Sequence, residues 1–75
     1  MYYLYLLKNK LTNETYIGYT KDLERRIEEH KAKNPELIYF EAYKSEEDAR
    51  AREFKLKQRG QSVRRLKERL KYSLQ

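Results

Sequence analysis

The fifteen residues from Tyr16 to His30, Tyr-Ile-Gly-Tyr-Thr-Lys-Asp-Leu-Glu-Arg-Arg-Ile-Glu-Glu-His, constrain the fold most. They pass from an aromatic, β-branched stretch that suits a strand into a segment of helical period, with no linker between. From Lys21 onward the apolar positions Leu23 and Ile27 stand four apart and mark the inward stripe of an amphipathic helix. At roughly 100° per residue, Arg26 and His30 fall within about 60° of Leu23 on that stripe, while Glu24, Arg25, Glu28 and Glu29 point away. Two ionisable groups thus stand where apolar ones belong. A desolvated guanidinium must pair or meet an anionic ligand, because burying it alone costs several kcal/mol. Phosphate fits that requirement. The plain alternatives are a hydrogen-bonded structural histidine and an arginine whose stem lies on the core while its head stays wet.

Around this segment the chain reads as one small α/β domain over residues 1–75. We expect a three-stranded antiparallel sheet flanked by helices, in the order β1-β2-α1-β3-α2-α3. Tyr2 to Lys8 alternates Tyr and Leu on both faces, as suits a central strand, β1. The polar stretch Asn9 to Asn13 turns the chain into β2, Glu14 to Thr20, as a hairpin. If Lys8 pairs with Asn13, Tyr5 stands directly opposite Tyr16, with Cβ atoms within about 5 Å. Helix α1 follows, Asn34-Pro35 stops it, and Leu37 to Tyr43 forms β3. Ser45 offers a cap, with Glu46, Glu47 and Asp48 suiting the positive first turn of α2, which runs to about Arg59. Gly60 breaks it. Ser62 can cap α3, whose stripe is Val63, Leu66 and Leu70.

Helix α2 carries the same anomaly as α1. With Ala49 as reference, Glu53 lies about 40° round the helix and Leu56 about 20° the other way, so an acid shares the apolar stripe. Such a carboxylate either pairs with a base, Arg52 or Arg26, or ligates a hard cation. Gly18 at the end of β2 leaves room for a helix or a sugar-phosphate backbone to approach; a simple bend is the alternative. Among the eight tyrosines, Tyr2, Tyr39, Tyr43 and Tyr72 suit the rim of a small sheet, whereas Tyr3 and Tyr19 are undecided.

Composition limits the partner. The absence of cysteine and the single histidine exclude disulfides and a zinc module by ligand count. No apolar run reaches the ~20 residues of a membrane span and no secretory leader is present, so a cytoplasmic protein without membrane contact is expected. The net charge of +6 is uneven: residues 46–75 alone carry +5, and from Phe54 onward eight bases face only Glu68. That density suits a polyanion.

Taken together, these residues resemble the GIY-YIG nucleases. The second tripeptide of that name stands intact as Tyr16-Ile17-Gly18, and the first is present as Tyr3-Leu4-Tyr5, with Tyr3 in place of glycine and the tyrosine kept. The helix arginine matches Arg26, the histidine one turn later His30, and the metal-binding glutamate Glu53. The likeness spans the chain, with two departures: no Asn follows Asn34, and the segment from His30 to Leu37 is short.

The resemblance implies one-metal hydrolysis of DNA phosphodiester bonds in repair or recombination. Glu53 would hold Mg²⁺ or Mn²⁺. Tyr5 would activate water, Tyr16 orient water or phosphate, Arg26 clamp the phosphate, and His30 bond to Tyr5 or the phosphate. Gly18, Lys55, Lys57, Arg64 and Arg65 would meet the substrate. Structured or non-specific DNA is the expected partner, and a monomer or a homodimer would serve. A catalytically silent DNA- or RNA-binding module that uses the basic third helix is the alternative, and a domain docking an acidic protein partner is another.

Overall fold

The computed structural model describes residues 1–58 and 61–75. Strands β1 (Tyr2–Asn9), β2 (Thr15–Thr20) and β3 (Pro35–Tyr43) form one antiparallel sheet in the order β2-β1-β3. Helices α1 (Leu23–Glu29), α2 (Glu46–Lys57) and α3 (Gln61–Arg69) flank it, with a 3₁₀ turn at Lys31–Lys33. The expected order and class are those observed. The Gly60 break and the Arg59 end of α2 lie outside the described residues, whereas Ser62, expected to cap α3, falls inside that helix, which already begins at Gln61. Strand β3 starts two residues early, because Asn34 at φ 50° reverses the chain after the 3₁₀ turn and Pro35 already pairs with Asn9.

The central strand is buried from both sides, as its Tyr and Leu content requires. Leu4, Tyr5, Leu6, Leu7 and Lys8 are all buried. Lys8 meets this burial by donating from Nζ to the Leu74 carbonyl at 2.9 Å. One face packs on α2 and α3 through Leu4, Leu56 and Leu66, with Ile17, Tyr39, Tyr43 and Leu70 around them. Each fully buried leucine there contributes about 1.5–3 kcal/mol. Ser45 caps α2 as expected, accepting from the Glu47 N–H at 3.2 Å.

The hairpin register differs from the expectation. Lys8 pairs with Thr15, so Tyr5 faces Gly18 and Tyr16 faces Leu7. The turn is the cause. The Asn9 side chain accepts from the N–H groups of Leu11 at 2.8 Å and Thr12 at 3.2 Å, and Asn13 adopts a left-handed φ of 65°. The Asn9 N–H then reaches the Glu14 carbonyl at 2.8 Å, which closes a longer loop. A two-residue slip keeps every side chain on its face but changes its partner.

Helix α1 lies on the other face of the sheet. Asp22 caps it by accepting from the Arg25 N–H at 3.1 Å. No residue of α1 is fully buried: Leu23 and Ile27 are half-buried and part of this face stays open.

Candidate active site

The site grows from the Tyr5–Gly18 pair. Both residues point to the α1 face of the sheet, and Tyr5 is only 2% exposed. A Cβ at position 18 would meet the Tyr5 hydroxyl end, and it would stand 2.7 Å from Cζ. The space at Gly18 is therefore taken by the phenol of Tyr5, not by a helix or a sugar-phosphate backbone. Gly18 is buried beneath that ring and acts by seating it.

Arg26 completes the arrangement from α1. Its Nε donates to Tyr5 Oη at 3.0 Å, and its Nη1 lies 3.3 Å from Glu29 Oε1. The bond to Tyr5 raises the Arg26 pKa further above its already high value, so the group is a fixed cation. The expectation of a buried guanidinium needs correction, because the side chain is 44% exposed. A helix of seven residues cannot cover its own inward stripe, so donors of Arg26 stay open to an anion. Glu29, expected to point away, reaches back to neutralise Arg26 and stands 3.7 Å from Arg25 Nε.

His30 and Tyr16 lie alongside. The His30 ring stacks on Tyr16 at 6.3 Å between centroids and is tilted against Tyr5 at 6.5 Å. Burial lowers the His30 pKa, and the Arg26 and Lys33 charges lower it further, so the neutral imidazole is favoured. The Tyr16 hydroxyl points elsewhere, donating to Glu14 Oε2 at 2.8 Å, and that bond raises its pKa. Lys33 Nζ lies 4.8 Å over the Tyr16 ring. Tyr5, Arg26, His30, Tyr16 and Gly18 thus gather on one face, although the two phenols are not directly opposite.

Glu53 belongs to the other layer. It shares the inward side of α2 with Ala49 and Leu56, over the face that carries Leu4. Its side chain is 22% exposed and pairs with neither Arg26 nor Arg52 but with Lys57, at 3.4 Å. Arg52 instead grips Glu41 of β3, with Nε at 3.0 Å and 3.2 Å from the two carboxylate oxygens and Nη2 at 3.1 Å. Tyr39 donates to the same carboxylate at 2.6 Å, and Tyr43 also donates to it. Burial pushes the Glu41 carboxyl up, but Arg52 and the two phenols outweigh it and hold it below the ordinary value. Burial, with Glu41, pushes Tyr43 up to about 12. This polar knot under α2 was not anticipated; Glu41 and Arg52 stand eleven residues apart in different elements, and no local spacing signals the pair.

Among the described residues no three acidic or histidine side chains gather to hold a metal by themselves. One partly exposed carboxylate, Glu53, nevertheless suits a hydrated Mg²⁺, which binds through one or two carboxylates and takes water and phosphate oxygens for the rest. Lys55, Lys57, Arg64 and Arg65 are exposed on α2 and α3, in the layer opposite Tyr5. No helix among the described residues is long and apolar enough to cross a membrane.

Comparison with known proteins agrees with this fold. A UPF0213 protein of Pediococcus pentosaceus is 38% identical over 71 residues, covering 81% of this chain and 74% of that relative. The solution NMR structure of a UPF0213 protein from Bacillus halodurans superposes with a TM-score of 0.62 at 27% identity, covering 99% of this chain and 93% of the other. The family model described as the GIY-YIG catalytic domain matches residues 1–67, which include every side chain of the Tyr5 site and Glu53. The chain belongs to the GIY-YIG family, with its nuclease-type fold.

Proposed function

We propose that this protein is a metal-dependent endonuclease that hydrolyses DNA phosphodiester bonds, acts on structured or non-specific DNA, and serves repair or recombination. One observation carries the reading: a buried tyrosine, seated on a glycine, receives a hydrogen bond from a half-exposed arginine. A structural pair needs no exposed donors, whereas a phosphate-binding pair does.

In this account a phosphate oxygen approaches the open donors of Arg26. Tyr5 Oη takes the proton of a water that attacks phosphorus, and the 3′-oxygen leaves on the opposite side, taking a proton from solvent. Arg26 bonds more strongly to the Tyr5 oxygen when that oxygen is charged, and its remaining donors balance the charge gained by the phosphorane. His30, kept neutral by burial, bonds to the phosphate or to Tyr5 without adding a cation. Tyr16 holds the His30 ring by stacking, while its hydroxyl is bound to Glu14. Glu53 would hold Mg²⁺ or Mn²⁺, which would supply positive charge to a phosphate on the α2 side of the sheet, the layer opposite Tyr5. Lys55, Lys57, Arg64 and Arg65 take flanking phosphates.

The second reading, a catalytically silent nucleic-acid-binding module, is favoured by the Glu53–Lys57 pair, which occupies the one carboxylate the metal would need. Cleavage of duplex, flap and branched DNA with Mg²⁺ or Mn²⁺ separates the two, with Glu53→Gln prepared in parallel. The nuclease reading expects cutting that chelation and Glu53→Gln both abolish, with DNA binding retained. Binding without cutting by either protein favours the silent module.

A further inference from the structure

The open part of the sheet face beside Tyr5 carries an aromatic pair that the reaction does not use. Phe40 stands directly opposite Tyr5 across β1 and β3. Its ring meets Tyr3 edge-on, at 6.0 Å and 65°, yet the residue remains 49% exposed. Tyr3 occupies the first position of the tripeptide whose third residue is Tyr5, where the family name has glycine. Both rings line a groove of about 900 Å³, and Arg26 lines the same groove. Three acids, Asp22, Glu24 and Glu29, balance Lys21, Arg25 and Arg26 along it, so its affinity for an anion rests on the exposed donors of Arg26 rather than on net charge.

We propose that Tyr3 and Phe40 form a stacking platform for one unpaired base next to the scissile phosphate, so that the substrate is single-stranded or flapped DNA. The inference rests on the nuclease reading for the phosphate at Arg26. A nucleotide joins a flat π-face to an anion within one sugar, which is the pairing of chemistries this groove offers. A base inside a duplex cannot reach the platform, because its faces and edge are already engaged. An unpaired base can. Tyr3 fixes the Phe40 ring by edge contact, so little freedom is lost when a base stacks on it.

The test is binding without divalent metal, followed by fluorescence anisotropy with a short labelled single strand, the flush duplex of the same sequence, and single strands with one abasic position moved along the chain. Wild type is expected to bind the single strand more tightly than the duplex and to lose about tenfold at one abasic position. Phe40→Ala, checked for folding by its thermal melt, is expected to lose about tenfold on the single strand, nothing on the duplex, and nothing further at that abasic position, since both changes remove one contact. A flat abasic scan on wild type, or equal losses of Phe40→Ala on both DNAs, overturns the platform. The scan needs no variant and no cutting. Base-dependent binding without cleavage therefore refutes the nuclease alone, and cleavage with a flat scan refutes the platform alone.

Discussion

Gly18 decides where Tyr5 stands. Any Cβ at that position drives against the phenol, which cannot retreat because it is buried and bound by Arg26. Gly18→Ala is expected to destabilise by about 1–3 kcal/mol through overpacking. It should also lower single-turnover cleavage about 100-fold by displacing the Tyr5 oxygen. A variant that melts and cuts like wild type contradicts the seat. His30 offers a second check at this scale. Its folded pKa lies below the ordinary value of about 6.5, so the unfolded chain binds the proton more readily. The stability it contributes is fully present above about pH 6.5 and is lost as pH falls towards the folded pKa. As the chain has one histidine, its ring proton resonance can be followed directly, and a midpoint below 6.5 is expected. A midpoint above that value contradicts the cause assigned.

At the scale of elements, two acids on neighbouring surfaces behave differently. Glu41 is nearly enclosed between Arg52 and two tyrosines and ties β3 to α2. Replacing it by Leu leaves the partly buried Arg52 without a partner, and a loss of about 2–4 kcal/mol is expected in a denaturant melt. Among the described residues Glu53 has only a one-turn partner on its own helix, so Glu53→Leu is expected to change stability by less than about 1 kcal/mol. Equal effects of the two changes would contradict this division. The contrast also marks how far the sequence was legible. Periodicity placed Arg26, His30 and Glu53 on inward faces, and motif spacing identified the strands and the Tyr5 and Gly18 positions. It did not find the Tyr5–Gly18 contact, because a loop closed by Asn9 and Asn13 sets the register and its two extra residues shift every pair. It did not find Glu41–Arg52 either, since that contact depends on how α2 crosses the sheet. The burial of Arg26 was overstated because a stripe predicts direction, whereas cover depends on helix length.

Across the whole molecule the charges and the site lie on different surfaces. The Tyr5 site opens on the α1 face, while the densest basic run lies on α2 and α3 over the other face. DNA that meets both must wrap an edge of the sheet, or the basic helices serve a neighbouring stretch. Either way the affinity should depend on salt. With about four phosphate contacts, it is expected to fall about 100-fold between 50 and 200 mM salt. A salt-independent affinity contradicts a polyanion partner. The central claim is that the oxygen of Tyr5, seated on Gly18 and bound by Arg26, acts on a phosphodiester. It is tested most directly by single-turnover cleavage of flapped DNA by wild type and by Tyr5→Phe, which keeps the ring and removes only that oxygen. The account predicts that Tyr5→Phe binds DNA like wild type, folds to within about 1 kcal/mol of it, and loses at least about 100-fold in cleavage. Undiminished cleavage by a folded Tyr5→Phe would contradict it.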